Sequence, residues 1–168
     1  MSHIIGIDPG LTGAVVVVDS EYGIVVHIYD MPITKLSKGS KKNQVDGKAL
    51  RDILALWPNS TVFLEQVQAM PRRDKDTGEE ITMGSASSFN FGAGWGITFG
   101  VALCCCQDVR LVVPTVWKRY WGLLKTEKDA ARVLAIQEFP VAGEALKRKK
   151  DSGRADALLI AQYGRSVL

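Results

Sequence analysis

Four acidic residues carry the chemistry available to this chain. Asp8 stands in Ile4-Ile5-Gly6-Ile7-Asp8-Pro9-Gly10 and Glu65 in Val62-Phe63-Leu64-Glu65-Gln66-Val67, while Asp151 and Asp156 stand in Asp151-Ser152-Gly153-Arg154-Ala155-Asp156-Ala157-Leu158. Asp8 and Glu65 each end an apolar, strand-like run, and the late pair opens an apolar helical one. A fold that brings these ends to one sheet edge gathers four carboxylates. An acid at the end of a central strand is costly to bury unless it meets a metal, a hydrogen-bond donor or a counter-charge. Plainer roles compete: Glu65 emerging at a strand end, and Asp151 capping a helix. If that helix starts near Ser152, both late carboxylates sit at its N-terminal end, where the helix dipole keeps them ionised. Oxygen-only ligands with several carboxylates suit Mg²⁺ or Mn²⁺ rather than zinc. Two such ions about 4 Å apart serve in-line displacement at phosphorus. Phosphodiester hydrolysis is the reaction to expect.

The elements that must position these groups follow from patterning. Residues 3–8 and 12–18, joined by Pro9-Gly10-Leu11, and residues 23–29 after Ser20-Glu21-Tyr22-Gly23 read as an antiparallel meander. The Lys/Ser/Gly-rich segment 32–44 lacks apolar periodicity and is expected to be a mobile loop. Asp46 can cap a helix with Leu50, Ile53, Leu54 and Trp57 on one face, stopped by Pro58-Asn59. Val62-Phe63-Leu64 is a buried strand, and residues 66–84 form a second long loop, of the kind that is usually functional or disordered. Residues 85–106 should be a long helix in which Ser88, Gly92, Gly96 and Gly100 recur every four residues. Each such glycine weakens a helix by about 1 kcal/mol relative to Ala, so something must approach closely there, either the chain's own sheet or a second subunit. A strand over 109–113, a proline-started helix over 114–121, a helix over 128–138 and a basic connector over 140–150 follow. The last helix, 152–167, packs through Ala155, Leu158, Leu159 and Ala161. A meander followed by alternating helices and strands gives an α/β fold: a mixed five-stranded sheet with helices on both faces.

Composition narrows the class of protein. A chain of 168 residues with 46% apolar and 23% charged residues is sized and composed as one globular domain, 1–168, not a disordered segment. The net charge of +3 is weak, but its distribution is not even: Lys35, Lys38, Lys41 and Lys42 cluster, as do Arg72 and Arg73, and Lys147 to Lys150 with Arg148. One charge run is as readily a solvated face; three flanking carboxylates suit a polyanionic partner. Cys104, Cys105 and Cys106 match no zinc spacing and read as buried thiols of a reducing, cytoplasmic compartment. The N-terminus has no signal-peptide pattern. The nearly uncharged stretch 81–107 is long enough to span a bilayer, but its Ser, Thr, Asn and Gly content argues for no membrane. Trp117, Tyr120 and Trp121 are able to stack on bases, although their spacing favours packing a short helix on the core. His3 and His27 lie in strand patterns and read as structural.

The order and context of the acids resemble the RuvC-type Holliday junction resolvases of the RNase H and retroviral-integrase superfamily, in the compact version carried by bacteriophages. The resemblance rests on Gly6-Ile7-Asp8-Pro9-Gly10 with Thr12-Gly13, Glu65-Gln66-Val67, Pro114 with Trp117-Lys118, and Gly153-Arg154-Ala155-Asp156-Ala157-Leu158, in family order over almost the whole chain. It implies an RNase H-like fold and a homodimer that binds four-way DNA and nicks two strands symmetrically, with two Mg²⁺ or Mn²⁺ ions per active site. Asp8, Glu65 and Asp156 match three family acids, and Asp151 is the best match to the fourth. Bacterial relatives place that fourth acid three residues before the last Asp, where this chain has Gly153. Lys118 matches a family lysine that meets the scissile region, and Lys128 resembles a second. With Lys41, Lys42, Arg72 and Arg73 they are the expected phosphate contacts, each adding salt sensitivity to binding. Where bacterial relatives carry a DNA-wedging Phe, this chain has Gln68, with Met70 and Phe89 as nearby substitutes. The competing readings are a superfamily ribonuclease or transposase-like nuclease acting on other branched DNA or RNA/DNA hybrids, and a non-catalytic branched-DNA binder, against which the retained acids argue. An actin-like ATP-binding domain shares the strand turn, but needs a second domain and phosphate loop that 168 residues do not hold.

Overall fold

Alternation along the first strand sets the layers: Ile5 and Ile7 face one side of a sheet, Ile4 and Gly6 the other, and helices cover both. The computed structural model describes residues 2–67, 72–73, 80–81 and 84–168. Strands β1 (His3–Asp8), β2 (Ala14–Asp19) and β3 (Val25–Asp30) form the antiparallel meander, and β6 (Ser60–Glu65) and β9 (Asp108–Val112) add to it in parallel. The strand order β3-β2-β1-β6-β9 makes a mixed five-stranded α/β sheet with β1 at its centre, between β2 and β6.

Helix α5 (Ser152–Ser166) lies on the side of Ile4, Val16, Val18 and Phe63, with Trp117 and Leu146 completing that core. The opposite core packs Ile5, Ile7, Val15, Val17 and Leu64 against Leu50 of α1 (Gly47–Leu54) and Ala102 of α2 (Ser85–Cys105). The run Ala14–Val18 is fully buried on both sides, and each such Val contributes about 1.5–3 kcal/mol relative to exposure. At Gly6 the contact between α5 and β1 is backbone to backbone. A Cβ built on Gly6 would collide with the Ala157 carbonyl oxygen and the Ala161 amide.

Asp46 caps α1 as its sequence context indicates, accepting from the amides of Lys48 at 3.1 Å and Ala49 at 3.0 Å. The segment expected to be a mobile loop is instead a small hairpin, β4 (Ile33–Lys35) with β5 (Asn43–Val45), paired from Ile33↔Val45 to Lys35↔Asn43. Within 66–84, only β7 (Arg72–Arg73) and β8 (Glu80–Ile81), paired antiparallel, lie inside the described backbone with the segment's ends. Helices α3 (Pro114–Tyr120) and α4 (Ala130–Glu138) follow β9, and the basic connector contains two short 3₁₀ turns, Pro140–Leu146 and Lys149–Asp151.

Helix α2 departs from an ordinary core helix. It has no charged residue, and only Gly94, Thr98 and Ala102, at four-residue spacing, are buried. Gly92, Gly96 and Gly100 lie off that line, and a Cβ on any of them would meet nothing within 4 Å among the described residues. The chain's own sheet therefore does not account for the smooth stripe. By length and composition alone, α2 is also the one described helix long and apolar enough to cross a bilayer. At its end, Cys104 is exposed and Cys105 and Cys106 are half-buried free thiols, which corrects the expectation of three buried cysteines.

Candidate active site

Sheet register brings the first two acids together. Strands β1 and β6 are parallel neighbours with Ile7 opposite Leu64, so Asp8 and Glu65 emerge side by side at the same edge. Alternation places Asp8 on the side of Ile4 and Gly6, and Glu65 on the side of Phe63, which is the α5 side for both. Asp156 immediately precedes Ala157, whose carbonyl presses on Gly6, so α5 delivers the third carboxylate to the same corner.

The turn after β1 is built to receive that helix. Gly13 donates to the Gly10 carbonyl at 2.8 Å, and a Cβ on Gly13 would lie 2.9 Å from the Asp8 Cγ. Gly153, in the first turn of α5, rests on the Thr12–Gly13 backbone with equally little room. Two residues without side chains thus let a helix start and a strand turn touch directly.

Each carboxylate is half-buried, and their electrostatics are shared. Asp156 is pushed up to about 7, by desolvation first and by the Asp8 charge second, with Lys118 acting the other way. Burial also raises Asp8, against the Gly10 amide that donates to its Oδ1 at 3.0 Å and the charge of Lys118. Glu65 is raised by burial, opposed by a hydrogen bond from Trp117, raised by Asp8 and lowered by Lys118. One lysine therefore faces three acids. Asp156 accepts no hydrogen bond among the described residues.

Glu65 is the most firmly held of the three. Trp117 Nε1 donates to its Oε1 at 2.9 Å, and Trp95 Nε1, from α2 on the other face of the sheet, donates to its backbone carbonyl at 3.0 Å. The expectation that Trp117 packs the core is met, since it is fully buried. Its role as a donor to Glu65 has no signal in local spacing, because donor and acceptor are 52 residues apart. Tyr120 is exposed, and Trp121 donates to the Leu159 carbonyl at 2.9 Å.

Asp151, expected as the fourth ligand, is not brought to this group; it pairs with arginines instead. It is 4% exposed and accepts from the Arg148 guanidinium at 2.8 Å and the Arg148 amide at 2.9 Å, with Arg154 Nη1 at 3.8 Å. The Arg148 hydrogen bond holds its carboxyl below the usual carboxylate range. Asp151 lies outside α5, at the end of the preceding 3₁₀ turn, where its carboxylate is paired with Arg148. It stands at the N-cap position of α5, but its side chain makes no capping hydrogen bond to that helix. Ser152 is the residue that shares the Asp156 side, and both line a cleft of about 260 Å³ with Lys118, Glu127 and Lys128.

The remaining expected contacts are spread more widely. Lys118 stands at the acids, its Nζ 5.1 Å from the Trp117 ring centre, and Lys128 lines the adjoining cleft. Lys41 and Lys42 are exposed beside the β4–β5 hairpin. Lys42 lines a larger cavity of about 580 Å³ with Pro9, Gly10 and Phe89, next to the Asp8 turn but away from the acids. Arg72 and Arg73 belong to β7. Gln68 and Met70 fall outside the described residues; Phe89 is 75% exposed in the second turn of α2. His3 packs edge-on against Trp57 and His27 lies against Tyr29, the structural roles their strand positions imply.

Among the described residues, no three acidic, His or Cys side chains form a closed chelate. What the edge holds is a surplus of negative charge: three desolvated carboxylates, one lysine, and single hydrogen bonds on Asp8 and Glu65 that each engage one oxygen. A donor set made only of carboxylate oxygens, with no His or Cys, fits a hard divalent cation such as Mg²⁺ or Mn²⁺. No protein-family model matches the chain, and no curated protein matches it by sequence.

Proposed function

We propose that this protein is a metal-dependent, structure-selective DNA endonuclease of RNase H-like fold that resolves four-way junctions by paired nicks. The observation that carries this reading is the meeting of Asp8, Glu65 and Asp156, from two central strands and one helix, around Lys118. Asp8, Glu65 and Asp156 would hold Mg²⁺ or Mn²⁺. When bound, such ions supply Lewis acidity toward the phosphate and the leaving 3′ oxygen. The Gly10 amide and the Trp117 indole orient Asp8 and Glu65, each through one oxygen. Lys118 neutralises a phosphate oxygen beside them, and Lys128 takes a phosphate further along the cleft. Water is the nucleophile, and no covalent enzyme intermediate is involved.

The junction preference and the homodimer rest on the resemblance to RuvC-type resolvases, with the stripe of α2, which no described residue covers, as the surface available to a second copy. A cytoplasmic location belongs to the same reading. The test is cleavage of four-way junctions in Mg²⁺, alongside linear duplex and RNA/DNA hybrid, by wild type and Asp8→Asn. Wild type nicks junctions at symmetric positions, and the variant binds them without cutting. Cutting of hybrids in preference to junctions would move the assignment to the ribonuclease branch. Robust cutting by Asp8→Asn would remove Asp8 from the site.

A further inference from the structure

Glu65 is gripped by two indoles, but only one of them touches its carboxylate. Trp117 is fully buried, and its Nε1–H, a donor with no acceptor capacity, finds its partner in Glu65 Oε1 at 2.9 Å. The geometry fixes a flexible side chain that would otherwise sample several rotamers at the mouth of the site. The chemistry of the donor matters as much as its position. A Lys or Arg in this place would neutralise Glu65, whereas an indole restrains it and leaves the full negative charge. Glu65 Oε2 receives no hydrogen bond from the described residues. Lys118 is the next residue along α3, so the same helix turn that anchors Glu65 also sets the lysine beside the acids.

We propose that Trp117 is a positioning residue for Glu65: its indole N–H holds Oε1 and leaves the second carboxylate oxygen to a hard divalent cation. The proposal rests on the endonuclease reading, since it gives Glu65 a cation to bind. Supporting groups around metal ligands typically change metal affinity by about 10–100-fold when removed. Loss of the indole N–H is therefore expected to weaken cation binding without unfolding the protein.

The test replaces Trp117 with β-(3-benzothienyl)alanine, which keeps the bicyclic shape and has sulfur in place of N–H, and separately with Phe. Mn²⁺ affinity is measured on the metal-free protein at pH 8 by electron paramagnetic resonance of free Mn²⁺, with the thermal midpoint in EDTA recorded for each variant. A control carries the benzothienyl residue at Trp121, whose N–H serves the Leu159 carbonyl on another part of α5. The expected result is about ten-fold weaker Mn²⁺ binding for both Trp117 variants and unchanged binding for the Trp121 control. In junction cleavage kcat falls while KM is unchanged. Unchanged Mn²⁺ affinity in the Trp117 isostere, or an equal loss in the Trp121 control, would overturn the positioning role and leave the endonuclease reading intact. Absence of Mn²⁺ binding by wild type would overturn that reading and the proposal with it.

Discussion

Gly153 rests on Gly13. A Cβ built on Gly153 would lie 2.8 Å from the Gly13 Cα and would run into the Thr12 carbonyl. The position three residues before Asp156 is thus sterically closed to any side chain. Gly153→Asp is expected to destabilise the protein by at least about 3 kcal/mol, the upper end of ordinary overpacking costs, because the clash is with backbone. Thermal denaturation checks this, and the variant gains no Mn²⁺ affinity.

Asp151 and the clustered acids separate by what they lose. Asp151→Asn leaves Mn²⁺ affinity and cutting within about two-fold, but costs roughly 2 kcal/mol, less than a fully buried pair because Arg148 is half exposed. Asp8→Asn, Glu65→Gln and Asp156→Asn do the reverse: they abolish cutting and retain the fold. A Mn²⁺ titration and a urea melt on the same samples distinguish the two patterns; loss of Mn²⁺ binding in Asp151→Asn would return it to the ligand set.

Acidity gives a further handle. Asp156 titrates from an ordinary 3.8 to about 7 in the folded chain, so between those values the native state binds more protons than the unfolded one. Its contribution to stability is fully present below about pH 4 and is lost as pH rises toward 7. Burial shifts Asp8 and Glu65 in the same direction. In EDTA, Asp156→Asn is therefore expected to exceed wild type in stability at pH 8, on the order of 2–4 kcal/mol, and to match it near pH 4. Asp151 has the opposite sign, being held low by Arg148. Its contribution is present above about pH 4 and disappears on further acidification. Urea melts at pH 4, 6 and 8 measure both.

Among the described residues, Lys118 is the one cation that all three acids feel. Lys118→Met lowers kcat and the salt dependence of junction binding while Mn²⁺ affinity rises, since a repelling charge has been removed. Weaker Mn²⁺ binding in this variant would show that the lysine supports the carboxylates rather than the phosphate.

The stripe on α2 predicts opposite effects on monomer and dimer. With none of the described residues within 4 Å of a Cβ on Gly92, Gly96 or Gly100, Gly96→Ala should stabilise the isolated helix by about 1 kcal/mol. Gly96→Leu should dissociate a dimer that packs through this face. Sedimentation velocity reads both; a monomeric wild type, or a Gly96→Leu variant that remains dimeric, assigns the stripe another role.

Much of the sheet was legible because its signals are local. Val15 to Val18 announce a buried strand, Asp46 a cap, and the apolar ends before Asp8 and Glu65 a shared edge. The β4–β5 hairpin was missed because its three-residue strands carry no sustained alternation and sit at the surface. The separation of Asp151 from Asp156 comes from its pairing with Arg148, which the run of basic residues before it does not specify. Trp117 and Trp95 bond to Glu65 across the fold, and no spacing rule reaches that far.

Gly6 has a wider consequence. Because α5 meets β1 through backbone atoms at Ala157 and Ala161, the gap between Asp8 and Asp156 is gauged by main chain and not by the bulk of intervening side chains. Repacking the neighbouring Leu and Val positions can therefore alter melting behaviour without changing that spacing. In a lineage of such sequences, the apolar interior is free to drift while the two carboxylates keep their separation, as long as position 6 stays bare.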